Sequence, residues 1–118
     1  LWFVGNDPQL SLDAKNWIAD ADNEVLVSVA SAWELAIKVS TGKLTLAQPL
    51  PLFLPDQLQR NTLQLLPITL PHILHVATLP FHHRDPFDRL LIAQSLIEPI
   101  PIISADAVFD GYGVQRLW

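Results

Sequence analysis

Short runs rich in β-branched residues alternate with longer stretches of helical character, and that alternation leaves few architectures open. Glu24-Val25-Leu26-Val27-Ser28-Val29 has the length and composition of a buried strand. Ser31 follows as an N-cap, and Ala32 to Ser40 form a helix that Gly42 ends. A connection from Leu44 to Pro55 leads into a helix over about Leu52 to Asn61. Leu63 to Ile68 is a second strand, and Pro71 opens a helix that Leu79-Pro80 breaks. His82-His83-Arg84-Asp85 is a loop, with Pro86 at the first position of a helix that continues through Ile97. Pro101-Ile102-Ile103-Ser104 is a third strand, and Val114 to Leu117 a short fourth. At the front, Leu1 to Val4 read as the tail of a helix stopped by Gly5-Asn6-Asp7-Pro8. Ser11 then caps a helix carrying Leu12, Trp17 and Ile18 as far as about Asp22. Strands separated by helices predict an α/β fold around a parallel sheet. The 118 residues make one domain, 1–118, without repeats or a dividing linker.

Composition narrows the function classes. Half the residues are hydrophobic and 16% are charged, which suits a packed core and excludes disorder. Pro, Asp or His interrupts every apolar run before the ~20 residues that a membrane span needs. Leu1-Trp2-Phe3-Val4 has no basic segment before it and no small-residue cleavage site, which argues against a signal peptide. The absence of cysteine excludes disulfides and thiolate zinc sites and fits a cytoplasmic protein. The net charge of −5 offers little to nucleic-acid phosphates directly. Two accounts remain open. The charge keeps a small protein in solution, or a carboxylate cluster holds divalent cations that themselves meet a phosphate.

Ligands of an open parallel sheet gather beyond the carboxyl ends of its strands. Three acids fall there: Glu34, Asp88 and Asp106. Each also has an ordinary structural explanation. Glu34 lies three residues after Ser31, the spacing of a capping box, and four before Lys38, the spacing of a helical ion pair. Asp85 before Pro86 is an N-cap, which makes Asp88 the third helical residue, where a carboxylate favours the helix dipole. Asp106 is an N-cap or turn residue ahead of Ala107-Val108-Phe109, and Asp110 a turn residue ahead of Gly111. Three carboxylates at one end of a sheet would repel one another unless a cation or shared proton compensates. Mg²⁺ and Mn²⁺ take oxygen ligands of this kind, polarise phosphate and acidify bound water.

The remaining conspicuous residues carry weaker signals. His82-His83 are read as structural or solvated rather than as ligands, and Trp17, Trp33 and Phe53 as core. Lys38, Arg84 and Arg89 are candidates to reach a phosphate near the acids.

These motifs resemble a known family. Val27-Ser28-Val29-Ala30-Ser31-Ala32-Trp33-Glu34-Leu35-Ala36-Ile37-Lys38 with Gly42-Lys43-Leu44 is similar to the second acidic motif of VapC-like PIN domains. His83-Arg84-Asp85-Pro86-Phe87-Asp88-Arg89-Leu90-Leu91-Ile92-Ala93-Gln94 resembles the third, and Ile103-Ser104-Ala105-Asp106 with Phe109 and Tyr112-Gly113-Val114 the fourth. The resemblance implies a three-layer α/β/α PIN fold around a central parallel sheet. It also implies cleavage of RNA phosphodiesters with Mg²⁺ or Mn²⁺ held by Glu34, Asp88 and Asp106. A VapB-like antitoxin partner and a homodimer are implied as well.

The pattern departs from the family at the front. Members begin with a central strand that ends in an aspartate, and Leu1-Trp2-Phe3-Val4 matches the stretch just after that aspartate. Without that strand several buried aliphatic side chains are lost, each worth ~1.5–3 kcal/mol, against total stabilities of ~5–15 kcal/mol. Pro99 replaces the glycine expected at the end of the third motif's helix. The competing reading is therefore an inactive PIN-like binding module, or a truncated remnant that still binds an antitoxin. A receiver-like or nucleotide-binding domain is disfavoured because neither G-x-G-x-x-G nor G-x-x-x-x-G-K-[ST] occurs.

Overall fold

The computed structural model describes residues 12–20, 22–82 and 84–118. The expected helix tail at Leu1–Val4, the turn at Gly5–Pro8, the Ser11 cap and His83 lie outside the described residues. Helix α1 spans Leu12–Ala19, strand β1 Val25–Ser28 and helix α2 Val29–Ser40. Helix α3 (Leu50–Arg60) leads into β2 (Leu63–Leu66), followed by α4 (Leu70–Val76) and α5 (Pro86–Ile97). Strand β3 (Ile102–Ile103), a 3₁₀ helix (Ala107–Tyr112) and β4 (Arg116–Leu117) complete the order.

The α/β fold with parallel strands is as the alternation predicted, and both observed ladders are parallel. β1 pairs with β2 from Val25↔Leu63 to Ser28↔Leu66, and β3 pairs with β4 at Ile102↔Arg116 and Ile103↔Leu117. Among the described residues these are two separate two-stranded sheets rather than one continuous sheet. The third and fourth strands are also shorter than their apolar runs, two residues each.

Local chemistry explains the helix boundaries. The cap of α2 is Ser28 and not Ser31: its Oγ accepts the Ala30 amide at 3.0 Å. A Val29–Ser40 helix thus begins directly at the strand's last residue, which removes the expected capping box at Glu34. Its other end closes as a Schellman turn. Gly42 takes φ +76° and donates to Val39 O, while Lys43 donates to Lys38 O at 2.9 Å. α5 begins where its sequence predicts, with Asp85 Oδ1 accepting from the Phe87 and Asp88 amides at 2.8 and 3.4 Å.

The principal core lies where α4 and α5 meet the 3₁₀ helix. Leu79, Ile92, Ala93, Phe109, Tyr112 and Val114 form one buried cluster, with Ile92 and Ala93 wholly enclosed. Arg89 is buried beside it, against the exposure expected of a phosphate-reaching cation. Its guanidinium donates to the carbonyls of Pro80, Val76 and Leu79 at 2.8, 3.1 and 3.2 Å and stacks on the Phe81 ring at 4.3 Å. A buried charge is tolerated when hydrogen bonds satisfy it, and here it joins the last carbonyl of α4 to the segment that follows.

A polar network ties the strands to α5. Ser28 Oγ donates to Gln94 Oε1, and Gln94 Nε2 donates to Pro67 O at 3.3 Å. The carboxyl ends of β1 and β2 are thereby both anchored to one buried amide. Phe53 is core, as expected, and Trp17 is half-buried. Trp33 is not core: it is 58% exposed and meets Phe87 edge-on at 5.0 Å between ring centres.

Candidate functional site

Each expected acid sits at or just beyond a helix start, but each is engaged differently. Glu34 lies in the second turn of α2, half-buried, with Oε1 3.4 Å from Lys38 Nζ. Of the two structural accounts of Glu34, the ion pair is the one realised. Asp88 is the third residue of α5, directly after the Asp85 cap and Pro86. Trp33 and Phe87 touch, so the turns of α2 and α5 that carry Glu34 and Asp88 abut. That pairing joins two segments far apart in sequence through the aromatic neighbour of each acid.

Asp106 follows β3 and caps the 3₁₀ helix, its Oδ1 accepting from the Val108 amide at 3.0 Å. Its own amide donates to Ser104 Oγ, a side chain only 1% exposed. Arg116 Nη1 donates to Ser104 O at 3.2 Å, and its other nitrogens grip Asp110 at 2.9 and 3.1 Å. Hydrogen bonding from Arg116, with its charge behind it, holds the Asp110 carboxyl below the ordinary carboxylate value against slight desolvation. The same contact raises Arg116. Asp110 is therefore an ion-pair residue and not simply a turn residue.

The carboxylates are oxygen donors of the kind that Mg²⁺ or Mn²⁺ takes. Among the described residues no three His, Cys, Asp or Glu side chains come together as a group able to hold a metal. One of Glu34's oxygens faces an ammonium and one of Asp106's caps a helix. His82 stacks edge-on against Tyr112 at 5.1 Å, in keeping with a structural role.

The three expected phosphate-reaching cations have different surroundings: Arg84 is exposed, Lys38 pairs with Glu34, and Arg89 is interior. Sequence reasoning missed Ser28 and Gln94 as the polar joint between strands and α5. A glutamine inside an otherwise apolar helix run, Leu90-Leu91-Ile92-Ala93-Gln94, was the available signal.

No helix among the described residues is long and apolar enough to cross a membrane. No solved structure matches the chain. Ribonuclease VapC16 from Mycobacterium tuberculosis (strain ATCC 25618 / H37Rv) is 40% identical over 57 residues. That match takes in 45% of this chain and 40% of the relative, so the chain spans well under half of the relative's length. The PIN domain family matches residues 1–114, a range that contains Glu34, Asp88 and Asp106 and the capped start of α5. With nearly the whole chain matched and the α/β architecture in agreement, the chain belongs to the PIN-domain family.

Proposed function

We propose that this chain is the ribonuclease toxin of a type II toxin–antitoxin pair, acting on RNA phosphodiesters. Glu34, Asp88 and Asp106 are its acidic site residues, Mg²⁺ or Mn²⁺ its metal, and a VapB-like antitoxin its partner. The observation that carries the reading is the junction of α2 and α5. Asp85 and Pro86 set the start of α5, and the Trp33–Phe87 contact brings the Asp88 turn against the Glu34 turn. The similarity to a ribonuclease of the VapC type supports the substrate class. A cytoplasmic setting and a homodimer belong to the same proposal.

A second reading is favoured by a specific observation. With no group of three ligating side chains among the described residues, those residues alone make an incomplete metal site. The chain would then be a PIN-like module that binds an antitoxin without cutting RNA. Mn²⁺ titration by calorimetry, followed by RNA cleavage, separates the two. The nuclease reading expects cleavage that needs Mn²⁺ and disappears in Asp88→Asn. Folded protein that neither binds Mn²⁺ nor cleaves RNA, with Asp88→Asn indistinguishable from it, sinks that reading and leaves the binding module.

A further inference from the structure

The aromatic pair at the junction of α2 and α5 is built unlike the core. Trp33 is 58% exposed, whereas Phe87 is half-buried. Their rings meet at 5.0 Å with 70° between the planes. In such a contact the edge of one ring meets the face of the other. Whichever ring supplies the edge, at least one face of the Trp33 indole is left clear of Phe87. An aromatic ring held from one side and open on the other suits stacking, because the packing contact orients it before a ligand arrives.

The residues around the pair are charged. Glu34 follows Trp33 directly, and Lys38, itself exposed, lies 3.4 Å from that carboxylate. Phe87 stands between Pro86 and Asp88, and the exposed Arg84 precedes the Asp85 cap. Successive residues of a helix are turned about 100° apart, so each ring stands beside the acid of its own helix and not over it. A phosphate drawn to these helix starts would therefore have an aromatic face to one side. A nucleotide has the same layout, a flat ring with apolar faces carried beside a charged phosphate. An apolar peptide laid over the indole would instead have to strip water from Glu34, Lys38 and Arg84, which is costly for charged groups.

We infer that Trp33 is a base-stacking residue, its open indole face receiving the base of a nucleotide that flanks the phosphodiester held at the acids. The inference rests on the nuclease reading proposed above and adds to it how the substrate is held. The RNA is single-stranded at this point, because a base paired within a duplex keeps its faces in the helical stack. Every base has such a face, so the contact fixes the position of the strand without selecting its sequence. Stacking also supplies binding that a chain of net charge −5 does not obtain from phosphates alone.

The test compares the full chain with Trp33→Leu, which keeps apolar bulk against Phe87, and Trp33→Phe, which keeps a ring. Cleavage of a short unstructured RNA with Mn²⁺ gives KM and kcat, calorimetry gives Mn²⁺ affinity, and urea midpoints report folding. Trp33→Leu is expected to raise KM about tenfold, the scale of one lost base stack, with kcat within about twofold. Trp33→Phe recovers most of that loss, and Mn²⁺ affinity and urea midpoints are unchanged in both variants. A second measurement walks one abasic site along the RNA. One position should raise KM about tenfold in the parent and leave Trp33→Leu unaffected, a coupling that a structural role would not produce. Equal KM in all three chains overturns the inference and leaves the nuclease reading standing, with the exposed ring then open to a protein partner instead. A loss of kcat or Mn²⁺ affinity at unchanged KM overturns it in favour of Trp33 as a support for the acids. A rise in KM that no abasic position removes overturns it in favour of a contact with the sugar-phosphate chain. A parent chain that neither binds Mn²⁺ nor cleaves RNA overturns the nuclease reading and this inference with it.

Discussion

Around α5 and the 3₁₀ helix, side chains close on one another from every direction. Ile92 and Ala93 are fully enclosed, and Arg89 spends its donors on the last carbonyl of α4 and on two in the segment just after it. Around β1 and β3 the described residues close less completely. Among the described residues two ladders, of four pairs and two, border one cleft without a shared strand. The difference follows from how each region obtains its hydrogen bonds. A helix satisfies its backbone within its own segment and needs neighbours chiefly for its apolar face. A strand depends on neighbours for its backbone as well, so an open edge leaves it incomplete.

The contrast is tested most directly in the enclosed region. Ile92→Ala is expected to cost about 2–5 kcal/mol, read as a lower urea midpoint with little change in slope. Arg89→Met comes next, because removing the guanidinium leaves carbonyls of Val76, Leu79 and Pro80 without their donor. Unsatisfied buried groups cost about 1–3 kcal/mol, and hydrogen exchange should report opening of α4 before global unfolding. Leu26→Ala, on the cleft wall, is expected to cost less than Ile92→Ala, under about 2 kcal/mol, because its side chain already borders open space. A larger loss at Leu26 than at Ile92 would reverse the ranking of the two regions.

The smallest effect concerns Asp110. Its carboxyl is lower in the folded chain than in the unfolded one, so the pair with Arg116 stabilises the fold above the ordinary carboxylate value. That contribution fades as pH falls through the folded value. Urea midpoints measured between about pH 5 and pH 2 should therefore fall less steeply in Asp110→Asn than in the parent. Both groups are at the surface, and added salt should shrink the difference.

Legibility in the sequence varied with how local the physics was. The Pro86–Ile97 helix could be read to the residue, because Asp85-Pro86 supplies both the cap and the preset first position. The end of α2 was legible for the same reason, with Gly42 free to take the left-handed turn. Its start was misplaced by one turn. Ser28 and Ser31 are both competent caps, and the Gln94 contact that holds Ser28 comes from 66 residues away. Trp33 looked like core in sequence because aromatic surface is usually buried, yet the crossing of α2 and α5 leaves it at the rim.

The acids divide along the same line. That Glu34, Asp88 and Asp106 each fall near a strand end or helix start was visible from turn and cap chemistry alone. Whether their oxygens converge was not, because convergence depends on how α2, α5 and the loop after β3 are placed in space. Element order, the parallel α/β class, the cap of α5 and the family motifs were all readable from the chain, since each depends on neighbours within a few residues. The inward turn of Arg89, the exposure of Trp33 and, among the described residues, the separation of the two ladders were decided in the tertiary structure. Those outcomes depend on burial and hydrogen bonds between residues far apart in the chain.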